Sequence, residues 1–344
     1  MSTERRKTEH IRICLEEDVG SKTGGNGFER YRFRHLALPE TDFAEIDTST
    51  SWLGRRMRAP LLISSMTGGT EEALAINRHL AEAAERRGWA MGLGSVRAAL
   101  ERPELANTFR VRDVAPTVPI VANIGAVQLN YGYGAAECRR AVELAEADAL
   151  VLHVNGMQEL FQPEGNTNFK GLLGQIETLC RSASIPIGVK EVGWGIDGET
   201  ARRLADAGVS FVDVAGAGGT SWSQVEKYRA AAGVRRAAAD AFADWGIPTA
   251  ECVVEARAAA PRVTLVASGG LANGVDAAKA IALGADVAGF GRSLLGAGVR
   301  SAEEAAQTLE RIEFELRAAM FGIGAADLDG LRGTRRLVRV AGDA

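Results

Sequence analysis

The stretch "HVNGMQELFQPEG", residues 153–165, concentrates side chains that could do chemistry. An apolar run that predicts a strand, "ADALVL", leads into four polar residues: His153, Asn155, Gln158 and Glu159. Imidazole, amide and carboxylate groups at this density could relay protons, hold a ligand or bind a metal ion. A hydrogen-bonded loop cap would use the same residue types, so the elements around this stretch must decide between the two interpretations.

From residue 60 onward, short β-rich runs alternate with amphipathic segments, as in repeated βα units. The candidate strands are "PLLISSM" from Pro60, "WAMGLGS" from Trp89, "PIVANIG" from Pro119, "ADALVLHVN" from Ala147, "PIGVKEVG" from Pro186, "FVDVAG" from Phe211, "VTLVASGG" from Val263 and "DVAGFGR" from Asp286. Eight such units predict an α/β fold, a closed (β/α)8 TIM barrel. A doubly wound sheet is the alternative, but the turn after the first strand reads "SMTGGT" rather than GxGxxG.

The pattern divides the chain into three predicted segments. Residues 1–59 combine charge, aromatic residues and glycine without a clear repeat, which predicts an N-terminal extension that crosses the barrel and closes the active site. Residues 60–322 form the barrel with the ligand site. Residues 323–344 include the basic "LDGLRGTRRLVRV" and are expected to form a C-terminal tail or a subunit contact.

Charge and hydropathy exclude several kinds of partner. A formal net charge of -4 provides no basic field for nucleic acid or an anionic membrane. No apolar run is long enough to span a bilayer. The first residues, "MSTERRKTEHIR", are charged and precede no apolar core, so we expect no secretory signal and a cytoplasmic protein.

The cysteines also narrow the possibilities. Cys14, Cys138, Cys180 and Cys252 are scattered, with neither a CxxC pair nor a histidine at metal-ligand spacing. This distribution argues against a disulfide framework and against a zinc site. We expect four buried free thiols.

In a barrel, the active site is built from the loops that follow the carboxyl ends of the strands. Side chains in the fourth predicted strand alternate with a period of two, so His153 and Asn155 should point inward at the barrel mouth. Gln158 and Glu159 would lie just above them, in the following loop.

The other strand ends are rich in small and polar residues. They read "SSMTGGT", "GLGSVR", "ANIG" and "AGAGGTSW", a lining that a flat ring could approach closely and bond along its edge. The last two strands lead into "SGGLANG" and "GFGRSLL". Loops at these two positions form the common phosphate site of barrels, although glycines also serve as plain turn residues.

Three charged features of the sequence each allow two interpretations. Lys190, within an apolar strand, needs an acceptor, which could be an electron-rich cofactor edge or a carboxylate such as Asp213 or Glu191. Glu159 could hold Mg²⁺ beside a diphosphate or could simply be solvated.

The N-terminal "RRKTEH" is the third feature. Arg6, Lys7 and His10 lie within about one helical turn, where Arg6 and His10 share a face. They form either a solvated terminus or, folded over the mouth, a diphosphate clamp.

With these motifs in place, the chain resembles the type 2, flavin-dependent isopentenyl-diphosphate delta-isomerases. The resemblance covers nearly the whole length, through "RKTEH", "SSMTGGT", "GSVRAALE", "NIGA", "HVNGMQELFQPEG", "VKEVGWG", "GAGGTSW" and "SGGLANGVDAAKAIALGAD".

The resemblance implies roles for individual residues. The implied FMN site is Ser65, Met66, Thr67, Ser95, Asn123, Lys190, Thr220, Gly269, Gly270, Gly291 and Arg292. The implied substrate-binding residues are Arg6, Lys7, His10, Ser95, Val96, Arg97 and Gln158. Gln158, His153 and Asn155 are the implied catalytic group, and Glu159 is the implied Mg²⁺ ligand.

The implied reaction converts isopentenyl diphosphate to dimethylallyl diphosphate in isoprenoid biosynthesis. FMN acts in its reduced form, with Mg²⁺ on the diphosphate and NADPH as the expected reductant. A homo-oligomer, a tetramer or octamer, is expected. The alternatives are an FMN-dependent 2-hydroxy-acid oxidase or dehydrogenase, which needs a histidine base and arginines absent from "VTLVASGG", and a flavin-binding protein without catalysis.

The sequence departs from the family pattern at three places. Gly156 replaces a proline, which could loosen the loop that carries Gln158 and Glu159. Ala215 replaces a frequent serine, and Gly291 and Arg292 replace an Ala-Gly pair.

Overall fold

The computed structural model describes residues 3–21 and 24–340, in which short strands alternate with helices. The strands are β1 (Tyr31–Phe33), β2 (Thr50–Trp52), β3 (Arg55–Met57), β4 (Leu61–Ile63), β5 (Ala90–Gly92), β6 (Ile120–Gly125), β7 (Ala149–His153), β8 (Ile187–Lys190), β9 (Phe211–Asp213), β10 (Thr264–Ala267), β11 (Val287–Phe290) and β12 (Leu337–Arg339).

The helices lie mainly between the strands. They are α1 (Thr3–Glu16), α2 (Glu71–Arg87), α3 (Arg97–Glu101), α4 (Ala135–Ala145), α5 (Gly156–Phe161), α6 (Leu172–Ser182), α7 (Gly198–Asp206), α8 (Trp222–Arg229), α9 (Val234–Ala238), α10 (Thr249–Ala259), α11 (Gly274–Ala282), α12 (Arg292–Arg300), α13 (Ala302–Ile323) and α14 (Leu328–Leu331). Five of them begin after a side-chain cap that accepts a backbone N–H, at Thr70, Asp197, Asn273, Ser301 and Asp327.

The strands β4 to β11 are parallel and close into a barrel in which β11 pairs with β4. All eight lie where the sequence predicts them, so the (β/α)8 prediction is confirmed and the doubly wound alternative is wrong. The alternation expected in the fourth barrel strand, β7, is also present. Ala149 and Val151 belong to the apolar core inside the barrel, whereas Leu150 and Leu152 pack with the surrounding helices.

A hairpin of β2 and β3 closes the amino-terminal end of the barrel. Leu53 and Gly54 form its two-residue turn, both with positive φ (52° and 75°), as a type I′ turn requires. Trp52, before the turn, packs edge-on against Phe211, the first residue of β9, with ring centroids 5.1 Å apart. The hairpin therefore plugs the barrel base.

The two terminal segments also contact the barrel. Residues of α1 contact α8 and line the cavity at the opposite end of the barrel, while β1 pairs antiparallel with β12 near the C-terminus. The described part of residues 1–59 thus contributes to both the mouth and the base. The part of the predicted tail that the structure describes, residues 323–340, contains α14 and a paired strand, and residues 341–344 lie outside the described range.

The cysteines are free thiols; Cys138 and Cys252 are buried, and Cys14 and Cys180 are half-buried. Across residues 3–21 and 24–340, helices combining the length and apolar character needed to cross a membrane are absent.

Removal of the Trp52 side chain should strongly destabilise the barrel. Trp52→Ala empties the plug that covers the inner core, and large-to-small changes of this kind lower the free energy of unfolding by about 3–5 kcal/mol. Urea denaturation measures the change. Leu38→Ala, at a side chain 74% exposed, is the control and should change the unfolding free energy by less than about 0.5 kcal/mol. Equal effects of the two substitutions would contradict the plug.

Candidate active site

The carboxyl ends of the barrel strands open into a cavity of about 540 Å³, a volume typical of cofactor and small-molecule sites. The structure brings nineteen of the predicted site residues to its wall: Arg6, Lys7, His10, Ser65, Met66, Thr67, Ser95, Arg97, Asn123, His153, Asn155, Gln158, Glu159, Lys190, Thr220, Gly269, Gly270, Gly291 and Arg292.

Val96 is the predicted residue that does not reach this wall. Its side chain is fully buried in the core outside the cavity. Its backbone N–H donates to the Asn123 carbonyl oxygen at 2.7 Å, and its carbonyl oxygen accepts from Ala99 and Leu100. Val96 therefore positions its neighbours Ser95 and Arg97 and has no free backbone group for a ligand.

The charge of the cavity differs from that of the whole chain. Five of its lining residues are Lys or Arg and one, Glu159, is a carboxylate, although the formal net charge of the chain is -4. A concave surface with this excess of cations favours an anionic ligand.

A chain of side-chain hydrogen bonds crosses the wall after β7. The Asn155 amide N–H donates to Gln158 Oε1 at 3.1 Å and to Glu159 Oε1 at 3.0 Å. Gln158 Nε2 in turn donates to Glu226 Oε1 at 3.2 Å. Because an ionised carboxylate can only accept, Glu226 fixes Gln158 Nε2 as a donor, which leaves Gln158 Oε1 to accept from Asn155.

Glu226, on α8, is also the partner of His10 on α1. The His10 Nε2 lies 3.0 Å from Glu226 Oε1, and the imidazole packs edge-on against Trp222. Burial lowers the pKa of His10 below its usual value despite the raising effect of Glu226. For Glu226, burial alone would raise the pKa, but the hydrogen bond from His10 and the charge of Arg229 hold it below its usual value. A neutral His10 therefore donates to an ionised Glu226.

Ion pairs join α1 to this wall. The buried Arg229 guanidinium pairs with Glu226, with Glu164 at 3.0 Å and with Glu9 of α1 at 3.4 Å. Arg6 donates to Gln162 Oε1 at 3.1 Å. These contacts seat α1 over the mouth, the arrangement in which its basic residues face the cavity.

Lys7, on α1, lies against the cavity wall. Its Nζ donates to the Ser95 carbonyl oxygen at 2.9 Å and lies 5.2 Å from the centre of the Phe109 ring. Burial and the nearby Arg6 charge lower the pKa of Lys7 to about 7. An anion bound beside it would favour the charged ammonium.

His153, at the end of β7, is held as a neutral imidazole. Its Nδ1 lies 2.7 Å from Asn123 Oδ1, an acceptor, so Nδ1 carries the proton and Nε2 is the free acceptor. Burial, followed by the positive charges of Lys190, Lys7 and two arginines, lowers the pKa of His153 to about 3.

Lys190 forms part of the cavity floor. Its Nζ donates to the backbone carbonyl oxygen of Glu191 at 2.5 Å. The Glu191 carboxylate instead accepts three backbone N–H groups, from residues 192–194, while burial raises its pKa to about 7. Of the two carboxylates considered from the sequence, Asp213 is the one beside Lys190 in the strand register.

The glycine-rich side of the cavity allows close backbone contact. Gly269 and Gly270 have φ of 103° and 78°, and a Cβ at Gly269 would lie 2.1 Å from the Gly216 carbonyl oxygen. The first turn of α12, which begins after Gly291, lines the same side. Backbone N–H groups at such a helix start can bind a phosphate.

Two hydroxyls in the wall lack a protein partner. Ser64 Oγ and Thr67 Oγ1 are buried and make no hydrogen bond to any residue that the structure describes. A buried polar group without a partner is costly, so a ligand that bonds them would stabilise the site.

Comparison with known proteins identifies the family. A model of the family described as FMN-dependent dehydrogenase matches residues 2–108 and 134–339. An isopentenyl-diphosphate delta-isomerase from Oceanobacillus iheyensis is 54% identical over 333 residues, 97% of this chain and 95% of the relative. One from Nostoc sp. is 52% identical over 338 residues, 98% and 97% of the two chains. The chain belongs to the isopentenyl-diphosphate delta-isomerases, within the FMN-dependent dehydrogenase family.

Solved structures support the fold of this isomerase family member. A chimera of (S)-mandelate dehydrogenase superposes with a TM-score of 0.70 at 20% identity, over 98% of this chain and 97% of that chain. A mandelate oxidase variant with an FMN adduct gives 0.67 at 22% identity, over 97% and 99%. At 20–22% sequence identity, this similarity supports the barrel fold and not a shared activity.

The departures from the isomerase pattern have different structural consequences. Gly156 is the first residue of α5, and a Cβ there would meet the Phe169 ring at an ordinary 3.6 Å. Ala215 is buried in the cavity wall with φ of 36°, a conformation that costs a non-glycine residue about 1 kcal/mol. The Arg292 guanidinium lies close to Gly20, after α1, as well as lining the cavity.

Sequence reasoning missed the residues of α8. Trp222 and Glu226 are four residues apart and share the helix face that meets His10. The tryptophan belongs to the quoted "GAGGTSW", but nothing in the sequence distinguishes the buried Glu226 from a solvated glutamate.

The lowered pKa of His153 predicts a specific pH dependence of stability in the ligand-free protein. In the unfolded chain the His153 imidazole has its usual pKa near 6.5. Between about pH 3 and pH 6.5 this imidazole therefore binds a proton more readily in the unfolded chain than in the folded one. The contribution of neutral His153 is complete above pH 6.5 and is lost as the pH falls toward 3, by at most about 1.4 kcal/mol per pH unit.

Two measurements check this dependence. Ring NMR signals of His153 should show a neutral imidazole from pH 8 to pH 5. In urea denaturation, His153→Asn should have a shallower decline of unfolding free energy with falling pH than the unsubstituted protein. Parallel declines would show that His153 is not the group responsible.

Proposed function

We propose that the chain binds FMN at the barrel mouth and, with FMN reduced, converts isopentenyl diphosphate to dimethylallyl diphosphate. The observation that carries the proposal is the excess of cations, five against one carboxylate, around a cavity lined by Gln158, whose amide donates to the buried Glu226. The names of relatives about 50% identical over nearly the whole chain support the same reaction.

The cavity suits FMN by its unpaired hydroxyls and its glycine-rich side. Ser65, Thr67, Asn123 and Lys190 would bond the polar edge of the ring, and the backbone at Gly269, Gly270 and Gly291 would receive the phosphate. When bound and reduced, FMN would supply an electron-rich ring with exchangeable protons beside the substrate alkene.

The reaction adds a proton at the terminal methylene carbon and removes one from the carbon next to the diphosphate-bearing carbon. No net electron transfer occurs. Both amide ends of Gln158 are held, by Asn155 and Glu226, so its orientation at the wall is set before a substrate arrives. In the proposal Gln158 orients or relays the proton, and His153 and Asn155 shape the pocket.

The substrate diphosphate would lie among the cations of the mouth. Arg6, Lys7 and Arg97 line the cavity and would neutralise its charge. Glu159 would hold Mg²⁺; within the described part of the chain no group of three His, Cys, Asp or Glu could bind a metal alone. The ion would therefore share phosphate oxygens and water with one carboxylate.

Three further expectations from the sequence analysis stay predictions. These are NADPH as the reductant of FMN, a homo-oligomer of four or eight subunits, and a cytoplasmic location.

A 2-hydroxy-acid oxidase or dehydrogenase is the competing function, favoured only by the shared barrel. That chemistry needs a histidine base near the seventh strand of the barrel, β10, which instead leads into Ser268, Gly269 and Gly270. The two histidines of the cavity wall lie on α1 and at the end of β7.

Anaerobic turnover tests the proposed function. Purified protein is incubated with FMN, dithionite, Mg²⁺ and isopentenyl diphosphate, and dimethylallyl diphosphate should form only when the flavin is reduced. Product at equal rates with oxidised FMN, or FMN binding without any product, would overturn the proposal. The second result would indicate a flavin-binding protein without this catalysis.

Gln158→Asn tests the role of the amide. The side chain becomes one methylene shorter and cannot reach Glu226 and Asn155 together, so turnover should fall at least about a hundredfold while FMN affinity stays unchanged. Steady-state kinetics and FMN titration measure the two quantities. Gln307→Asn, the same change at an exposed position of α13, should leave both unaltered. Undiminished turnover in Gln158→Asn would remove Gln158 from the mechanism.

A further inference from the structure

A buried carboxylate lies directly beneath the cationic floor of the cavity. Lys190 and Asp213 are register partners on β8 and β9, and neighbours in register on parallel strands point to the same side of the sheet. Both line a small void of about 10 Å³ inside the barrel, but only Lys190 also lines the main cavity. Asp213 is 3% exposed and is therefore separated from the cavity by the floor.

Lys190 and Asp213 face the same void. They are the only ionisable residues among the described ones that line this void, whose other walls are mainly apolar, such as Trp52 and Phe211. The second acidic group near Lys190, Glu191, is committed to three backbone N–H groups. Asp213 is thus the carboxylate that balances the Lys190 charge from below.

Hydrogen bonds hold Asp213 by one oxygen only. Its Oδ1 accepts from Ser268 Oγ at 2.6 Å and from the backbone N–H of Ala215 at 3.2 Å. Burial raises the pKa of Asp213, an effect opposed first by the Lys190 charge and then by these bonds. The Lys190 charge therefore favours the ionised carboxylate, whereas burial opposes it.

We propose that Asp213 is a positioning residue whose charge limits how strongly Lys190 favours an anionic ring above it. The inference rests on the proposed binding of FMN. Oxidised FMN has a neutral ring, whereas the reduced ring can carry a negative charge, so a cation at the floor stabilises reduced FMN selectively. A negative charge beneath that cation opposes this preference, and the opposition is strong because the void is shielded from water.

Asp213→Asn isolates the charge from the hydrogen bonds. Asparagine keeps an Oδ1 that can accept from Ser268 and Ala215 but has no negative charge. The ratio of the dissociation constants of oxidised and reduced FMN should rise about tenfold, equivalent to an increase of about 30 mV in the two-electron reduction potential. A redox titration against a reference dye measures the potential, and circular dichroism checks the fold.

The effect must act through Lys190, which a double-mutant cycle tests. In a Lys190→Met background, Asp213→Asn should shift the potential by less than a third of its effect in the unsubstituted protein. A full shift in that background, or an unchanged or lower potential in Asp213→Asn alone, would overturn the inference.

Two further variants complete the design. Asp148→Asn makes the same change at the opposite end of the barrel, where Asp148 pairs with Arg55 and Arg112, and should leave the potential unaltered. If Asp213→Asn does not fold, Ser268→Ala removes the hydrogen bond that favours the ionised Asp213 carboxylate. The reduction potential should then rise by a smaller amount than in Asp213→Asn. A lower potential would overturn the inference. Unsubstituted protein that binds no FMN would refute the proposed function instead.

Discussion

Closure of the parallel sheet between β11 and β4 is the constraint on which the site depends. The Ala288 N–H donates to the Pro60 carbonyl oxygen at 2.9 Å, and the Ser64 N–H donates to the Phe290 carbonyl oxygen at 2.8 Å, so the first and last barrel strands have no free edge. Closure directs eight strand ends toward one axis. Loops that are far apart in the chain then share a single cavity, with a hairpin plug at one end and α1 at the other.

Burial of charge shapes this cavity. Glu226 is 1% exposed and remains ionised because His10, Gln158 and Arg229 surround it. Its inability to donate orients the amides of Gln158, on α5, and of Asn155, which precedes α5. Below the floor, Lys190 and Asp213 line a void whose other walls are mainly apolar. Each buried carboxylate therefore has a positional role that a solvated one could not have, since water would screen its charge and satisfy its lone pairs.

Several parts of this architecture could be predicted from the chain alone. The eight strands have β-rich runs bounded by turn residues, and the period-two pattern at His153 and Asn155 correctly places both side chains at the mouth. A position within a site motif does not by itself bring a side chain to the cavity. Val96 belongs to a site motif, yet the β6 backbone takes up its N–H and the core its side chain.

Periodicity and residue type are local properties, which is why they suffice for the barrel, its strand ends and the polar cluster after β7. The burial of a side chain, in contrast, depends on how the whole chain folds. Glu226 lies 216 residues from His10 and 68 from Gln158, and it is a buried anion only because closure of the barrel brings α1, α5 and α8 together. The same holds for Lys190, for which the sequence offers two acidic neighbours: strand register places Asp213 beside it, while backbone N–H groups occupy Glu191.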